Sequence, residues 1–154
     1  MDREALEQSL ISIEPQASKR EDVDRAAVEV PVDKLMRLMR QLREDERFTF
    51  DILLDHTVID RPEEERFELV YNLYSIKYGH SLMVICGISR ENPIAPTMES
   101  IWPAAHWQER EVFDLFGVLY DEHTDLRRLF LDDDWKGYPL RKDYKDDDML
   151  EFGE

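Results

Sequence analysis

The stretch FELVYNLYS (residues 67–75) decides the fold class of this chain, because Phe67, Leu69, Tyr71 and Leu73 occupy every second position. Apolar residues at alternate positions are typical of a strand that buries one of its faces. The stretch therefore predicts a β-strand with one face against a hydrophobic core.

The sequence on either side of this strand predicts an antiparallel meander. Residues 48–58 show the same alternation, with Leu54 on the apolar side, and residues 60–65 (DRPEEE) form a loop. After the central strand, residues 78–80 (YGH) predict a tight turn into a third strand at residues 82–88. Three strands in succession argue against a doubly wound parallel fold.

Helices flank the meander. Residues 26–30 predict a short first strand, and Asp33 is the expected N-cap of an amphipathic helix that continues to Leu42. A second helical region precedes Gly117, which stops the helix predicted at residues 104–116. The coarse order β-α-β-β-β-α-α predicts an α+β fold, a small antiparallel sheet with helices on one face and an extended C-terminal segment.

Changes in sequence pattern divide the chain into three parts. Residues 1–25 predict an N-terminal helix, ending at Pro15, or a flexible segment, and residues 26–117 form the α+β domain. Residues 118–154 have no sustained period. They nevertheless contain large aromatic side chains: Phe130, Trp135, Tyr138, Tyr144 and Phe152. A long irregular segment of this kind predicts an extended structure that binds a partner.

Composition excludes several classes of function. The chain has 154 residues and a formal net charge of −16, which argues against binding of nucleic acid and of anionic membrane surfaces. Its single cysteine excludes an intrachain disulfide and an iron–sulfur cluster ligated by this chain alone. No stretch approaches the ~20 apolar residues of a membrane helix, and the N-terminus lacks a signal-peptide pattern. We expect a protein on the cytoplasmic side, held at the membrane through partners.

Sequence motifs for catalysis or cofactor binding are absent. There is no GxGxxG loop and no Walker A loop. His106 and Glu109 lie three residues apart on the predicted helix and offer one side of a metal site, and Asp132, Asp133 and Asp134 offer a cation-binding run. Solvated side chains explain both patterns more simply, so we predict no catalytic, cofactor or metal site. A free-standing acidic binding module and a small metal hydrolase remain alternatives.

Two sequence blocks carry the strongest functional signal. The first, WQEREVFDLFG (residues 107–117), holds more apolar surface than one helix stripe needs, with charges set among it. The second (residues 125–144) contains Arg127 and Arg128 between leucines, followed by aromatic residues. Adjacent arginines suit bidentate pairing with partner carboxylates at a partly dry interface, where losing one would weaken association by about 2–5 kcal/mol. We therefore predict a protein–protein interface.

These blocks resemble the motif of the C-type subunits of bacterial NADH–quinone oxidoreductases, counterparts of the 30-kilodalton subunit of mitochondrial complex I. The matching stretches are residues 107–117, EHTDLRR (residues 122–128) and GYPLRKDY (residues 137–144). Two departures stand out, since Glu122 replaces the usual glycine and Asp132 a common proline. The similarity covers about residues 48–144.

The resemblance implies a non-catalytic, cofactor-free peripheral subunit of a proton-translocating respiratory complex that passes electrons from NADH to quinone. Iron–sulfur clusters and FMN would reside in partner subunits. The implied partners are the large quinone-site subunit, a homologue of the 49-kilodalton subunit, and neighbouring iron–sulfur subunits. The alternative is the equivalent subunit of a membrane-bound energy-converting hydrogenase or a formate-oxidising complex. The candidate interface residues are Trp107, Glu109, Arg110, Glu111, Asp114, Arg127, Arg128, Trp135, Tyr138, Arg141, Lys142 and Tyr144.

Overall fold

A computed structural model describes residues 1–149 as three helices, seven strands and a short 3-10 turn at Pro62–Glu64. In chain order the helices and strands are α1 (Arg3–Ile13), β1 (Ser18–Lys19), β2 (Ala27–Glu29), α2 (Val32–Glu44), β3 (Ile52–Arg61), β4 (Arg66–Ser75), β5 (His80–Ser89), β6 (Ile94–Pro96), α3 (Ala105–Phe116) and β7 (Leu119–Asp121).

A five-stranded sheet in the order β1-β2-β5-β4-β3 forms the centre of the fold. The predicted meander is confirmed, because β4 pairs antiparallel with β3 on one side and with β5 on the other. The sheet as a whole is mixed, since β2 lies parallel to β5. Parallel pairing needs a long crossover connection, and α2 together with the β3–β4 hairpin provides it.

One face of the sheet carries the hydrophobic core. Phe67, Leu69, Tyr71 and Leu73 of β4 are all fully buried in it, as their alternation predicts. Buried residues of all three helices join the same cluster, so the helices lie on one face of the sheet. The single cysteine, Cys86, is buried in this core as well, and burial raises the pKa of its thiol to about 12.

The helix beginnings differ in how they are capped. The Asp2 side chain caps α1 by accepting the Ala5 N–H at 2.9 Å. The prediction of Asp33 as the N-cap of α2 is wrong, because α2 begins at Val32 after Pro31. Pro31 is the N-cap residue and provides no side-chain cap, and Asp33 lies in the first turn, where its negative charge interacts favourably with the helix dipole. Within the described residues, no helix has the length and apolar character that crossing a membrane requires.

Strand β3 departs from the predicted alternation at Leu54. A β-bulge between Leu53 and Asp55 inserts one residue into the strand, and Leu54 is therefore 52% exposed. Phe48 and Phe50, predicted as part of the strand, lie before it and are fully buried. Because a β-bulge adds one residue to the strand, the positions before and after it that face the core are no longer separated by an even number of residues. A prediction that assumes strict alternation therefore assigns Leu54 to the wrong face.

The short parallel pair β6–β7 was not predicted from the sequence. Ile94 pairs with Leu119 and Pro96 pairs with Asp121. The prolines around β6 suggested only that the sheet ends there. Three-residue strands are too short to show a period, and their partners lie more than twenty residues apart, so only the folded chain reveals them.

A buried histidine links the sheet to β7. His56 Nδ1 lies 3.0 Å from the Val70 carbonyl oxygen, and its Nε2 accepts the hydroxyl hydrogen bond of Tyr120. The ring also stacks on Tyr71, with centroids 4.1 Å apart. Both hydrogen bonds suit the neutral imidazole with its proton on Nδ1, and burial lowers the pKa of His56 from 6.5 to about 4.

We expect acid to destabilise the fold through His56. Because the unfolded chain takes up this proton near pH 6.5 and the folded chain only near pH 4, lowering the pH through this range favours unfolding. The contribution amounts to about 2 kcal/mol at pH 5. Urea unfolding of the parent chain and of His56→Gln at pH 7.5 and pH 5 measures this contribution. The parent chain should lose about 2 kcal/mol more stability than the variant between the two pH values. An unchanged difference would contradict the assignment.

Candidate functional site

The described part of the C-terminal segment after β7, which we call the C-terminal strap (residues 122–149), packs against α3 of its own chain. Gly117 caps the C-terminal end of α3, and its φ of +78° is the left-handed conformation that glycine adopts without strain. A Cβ at Gly117 would lie 2.6 Å from Tyr138 Cε2 and 2.7 Å from Arg141 Nη2. The strap therefore lies directly on the end of α3. Phe152, predicted as part of this segment, is outside the described residues.

Asp114 of α3 is the main attachment point of the strap. Its fully buried carboxylate accepts three consecutive backbone N–H bonds, from Leu129 at 3.1 Å, Phe130 at 2.7 Å and Leu131 at 3.1 Å. Burial alone would raise the pKa of Asp114. The N–H bonds, together with an ion pair to Arg128, outweigh burial and hold the pKa below its ordinary value.

Two arginines complete this attachment from opposite directions. Arg110 of α3, 5% exposed, donates to the carbonyl oxygens of Arg127 and Arg128 at 3.1 Å each. Arg128 of the strap pairs with Asp114 Oδ1 at 3.0 Å and donates to the Trp135 and Gly137 carbonyls. The sequence suggested that Arg128 meets a partner carboxylate, but its carboxylate in the structure is Asp114 of the same chain.

The distal part of the strap is held at a second place. Leu140 N–H donates to the Leu115 carbonyl at 3.1 Å, and Arg141 Nε donates to the Phe116 carbonyl at 2.6 Å. The Arg141 guanidinium lies over the Tyr138 ring, 4.9 Å from its centroid. These contacts cap the last carbonyl groups of α3, so the strap satisfies backbone groups that the helix end leaves open.

Asp60 and Arg90 also hold the strap, and sequence reasoning missed both. Asp60 at the end of β3 accepts the Lys142 N–H at 2.9 Å and pairs with Arg90 at 2.7 Å, and Arg90 also bonds Asp143 at 3.1 Å. One sequence signal could have identified Asp60. It lies two residues after Val58, on the face of β3 that points to the core, and it pairs with Phe67. An apolar residue is expected at such a position. Arg90 offers no comparable signal.

Ten of the predicted interface residues fall into two groups, and two tyrosines lie between them. One group is held inside the chain by hydrogen bonds or ion pairs: Glu109, Arg110, Asp114, Arg128 and Arg141. Tyr138 and Tyr144 are half-buried in the strap. The second group faces solvent: Trp107, Glu111, Arg127, Trp135 and Lys142. The first group therefore holds the strap and the turn before α3 in place, and the second group is available for contact with a partner.

Four large apolar side chains of α3 and the strap are exposed to solvent. Trp107 of α3 is 58% exposed, and Phe130, Trp135 and Leu140 of the strap are 66%, 39% and 53% exposed. The Arg110 guanidinium lies against the Trp107 ring, 5.0 Å from its centroid. We call these four side chains, with Glu111 and Arg127, the aromatic surface. Trp and Arg side chains of this kind are typical anchors of protein–protein interfaces.

A polar cluster lies at the N-terminal end of α3. The fully buried Glu109 carboxylate accepts the Thr97 hydroxyl and the Met98 N–H, each at 2.6 Å, and burial raises the pKa of Glu109 to about 7. These bonds fix the turn that precedes α3. The sequence offered His106 and Glu109 as two ligands on one helix, but in the structure His106 instead contacts Glu99, at 3.0 Å.

Comparison with known proteins finds consistent similarity. The family model described as "Respiratory-chain NADH dehydrogenase, 30 Kd subunit" matches residues 28–149. The chain is 44% identical over 138 residues to the C-type subunit of NADH-quinone oxidoreductase from Moorella thermoacetica, covering 90% of this chain and 92% of that protein. It is 40% identical over 126 residues to the corresponding protein of Rhodobacter capsulatus, covering 81% of this chain and 63% of the relative. The chain spans only 50–65% of the length of each of seven other curated relatives.

Two solved structures are similar in fold. A chain from the membrane-bound sulfane sulfur reductase, "an archaeal respiratory membrane complex", superimposes with a TM-score of 0.79 at 31% identity, covering 92% of this chain and 85% of that one. A trypsin-resistant fragment of Nqo5 superimposes with a TM-score of 0.67 at 26% identity, covering 82% of this chain and the whole fragment.

Proposed function

The chain belongs to the family of 30-kilodalton subunits of respiratory-chain NADH dehydrogenases, and from this premise we propose that it docks on the large quinone-site subunit of such a complex through its aromatic surface. In this proposal the chain binds no redox centre of its own. FMN and the iron–sulfur clusters of electron transfer reside in partner subunits, the large subunit is a homologue of the 49-kilodalton subunit, and iron–sulfur subunits lie alongside.

The observation that carries this proposal is the rigid attachment of the strap beneath exposed aromatic side chains. The charged groups of Asp114, Arg110 and Arg128 form hydrogen bonds and an ion pair within the chain. These bonds fix the strap before a partner binds. Trp107 and Trp135 meanwhile remain exposed. A surface ordered in advance binds with a smaller entropic penalty, which suits a permanent contact between proteins of one complex.

The role that follows is structural support of a membrane-bound reaction. By holding the large subunit and its neighbours in place, the chain would keep the electron path from NADH to quinone intact and coupled to proton translocation. The chain would lie on the cytoplasmic side of the cell membrane as a peripheral subunit. Its homologues are subunits of multi-subunit respiratory complexes, which supports a hetero-oligomer.

A second candidate concerns the electron donor. The similarity to a chain of the sulfane sulfur reductase, 31% identical over 92% of this chain, is a similarity to a respiratory membrane complex named for another reaction. The same docking role in an energy-converting hydrogenase or a formate-oxidising complex is therefore the alternative. The partner composition distinguishes the two candidates, because NADH-binding subunits belong to one and hydrogenase subunits to the other.

Co-purification from the native membrane tests the proposal. The full chain with an affinity tag, expressed in its own organism in place of the untagged copy, should bring down one large subunit in equimolar amount, identified by mass spectrometry, together with flavin and iron–sulfur absorbance. Chain that is separated from the partners should lose that absorbance. Recovery of the chain alone, as a monomer, from membranes in which the complex is intact would refute the docking role.

A further inference from the structure

Three side chains from separate segments converge beside the first turn of α3. Glu99 belongs to the turn before α3, His106 to the first turn of α3, and His123 follows β7. His106 Nδ1 lies 3.0 Å from Glu99 Oε1, and His123 Nδ1 lies 3.9 Å from Glu99 Oε2. One potential ligand atom from each of the three residues lies within 4.8 Å of the other two. Two imidazoles and a carboxylate are a common ligand set for zinc.

The tautomer of His123 suits a metal ligand. Its Nε2 lies 3.0 Å from the His106 carbonyl oxygen, so the proton belongs on Nε2 and Nδ1, which lies 3.9 Å from Glu99 Oε2, carries the lone pair. Metal-binding histidines usually donate their second N–H to a carbonyl or carboxylate in this way. The Asp125 N–H now donates to this lone pair from 3.0 Å. An ion would replace that local bond, which joins residues only two positions apart.

Two carboxyl groups flank His123. Glu99 lies on one side of His123 and Glu109 on the other, with Glu109 Oε2 3.9 Å from His123 Nε2. Among residues 1–149, neither carboxylate pairs with a lysine or an arginine. A half-buried carboxylate such as Glu99, with no lysine or arginine partner among these residues, is a candidate metal ligand.

A cavity open to solvent borders Glu99, one of the three residues. It measures about 440 Å³, and its wall includes Glu99, Thr124 and Glu122. Glu122 has a φ of +65°, a left-handed conformation that is strained for a glutamate. Arg40 also lines the cavity, and its guanidinium approaches Glu44 at 4.0 Å. A water molecule that enters from this cavity would supply the fourth ligand of an ion bound at Glu99.

We propose that Glu99, His106 and His123 bind one divalent transition-metal ion, of which Zn²⁺ fits the ligand set best. The sequence predicted no metal site, because the three residues are scattered along the chain. The ion would tie the turn before α3, the helix and the start of the strap together, next to Trp107, whose ring lies 5.0 Å from that of His106. Zn²⁺ has no redox chemistry, so the site is compatible with a chain that transfers no electrons.

Calorimetric titration of the full chain with Zn²⁺ tests this site. The chain is first treated with a chelator, and excess Mg²⁺ is kept in the buffer to occupy exposed carboxylates. We expect one Zn²⁺ per chain, with an affinity that falls at least about tenfold in Glu99→Gln and in His106→Gln. His80→Gln, a histidine of β5 outside the cluster, serves as the matched control and should bind like the parent chain.

A second measurement depends on the parent chain alone, in case a variant folds poorly. One equivalent of Co²⁺ in place of Zn²⁺ should produce the visible absorption bands of a four-coordinate nitrogen and oxygen site, and Zn²⁺ should bleach them. Zn²⁺ binding that is equally strong in the parent chain and both ligand variants, or Co²⁺ spectra of the hydrated ion, would overturn the proposal. Neither result bears on the docking role.

Discussion

Replacing Asp114 with alanine is expected to release the strap from α3 and to abolish co-purification with the large subunit. The change leaves the Leu129, Phe130 and Leu131 N–H groups without their acceptor and Arg128 without its carboxylate. Removing one partner of a buried, hydrogen-bonded ion pair destabilises a protein by about 3–5 kcal/mol. Urea unfolding measures this loss, and the rate of tryptic cleavage after Arg127 and Arg128 reports on the strap itself.

Two further variants make the Asp114 prediction specific. Asp114→Asn keeps one acceptor oxygen but removes the charge, so we expect an intermediate loss of stability. Asp133→Ala removes an exposed carboxylate of the same strap and should leave unfolding and cleavage unchanged. Equal unfolding midpoints and equal cleavage rates for Asp114→Ala and the parent chain would show that Asp114 does not hold the strap.

Trp107→Ala should weaken docking while leaving the fold in place. Asp114→Ala, by contrast, should lower the stability of the chain itself. Trp107 is 58% exposed, so its burial against a partner would be the largest single gain available on α3. We expect a loss of about 2–4 kcal/mol in association, which is roughly a 30- to 700-fold rise in Kd. Stability of the free chain should change by no more than about 1 kcal/mol, mainly through the lost contact with Arg110.

Reconstitution of the chain with the purified large subunit measures this effect. Ile76→Ala is a suitable control, because Ile76 is 66% exposed in the turn between β4 and β5, outside the aromatic surface. Its Kd should match that of the parent chain. A Trp107→Ala chain that binds as tightly as Ile76→Ala would place the docking surface elsewhere on the molecule.

Together these two substitutions divide the motif into an inner and an outer layer. Asp114, Arg110 and Arg128 form the inner layer, and they act on the strap. Trp107 and Trp135 form the outer layer, which would act on the partner. A dense cluster of charged and aromatic residues in a sequence therefore does not by itself identify the side chains that meet the partner.

Much of the fold was predictable from local pattern. The alternation in residues 67–75 located β4, and Gly117 marked the end of α3. The β-bulge at Leu54 and the pair β6–β7 were not predictable, because each depends on register with a distant strand. The proposed metal ligands could not be predicted from the sequence for the same reason. Glu99 and His123 are twenty-four positions apart and become neighbours only when β7 returns beside β6.

The sequence by itself determined the α+β class, the strands of the meander and the block of charged and aromatic residues in which the proposed docking surface lies, because periodicity and side-chain chemistry are local properties. Only the tertiary structure decided where each charge is used. Arg127 and Arg128 are equivalent in sequence, yet Arg128 turns inward to Asp114 and Arg127 stays exposed. The physical reason is that an ion pair depends on the position of its partner in space, and Asp114 reaches Arg128 only after α3 and the strap have packed together.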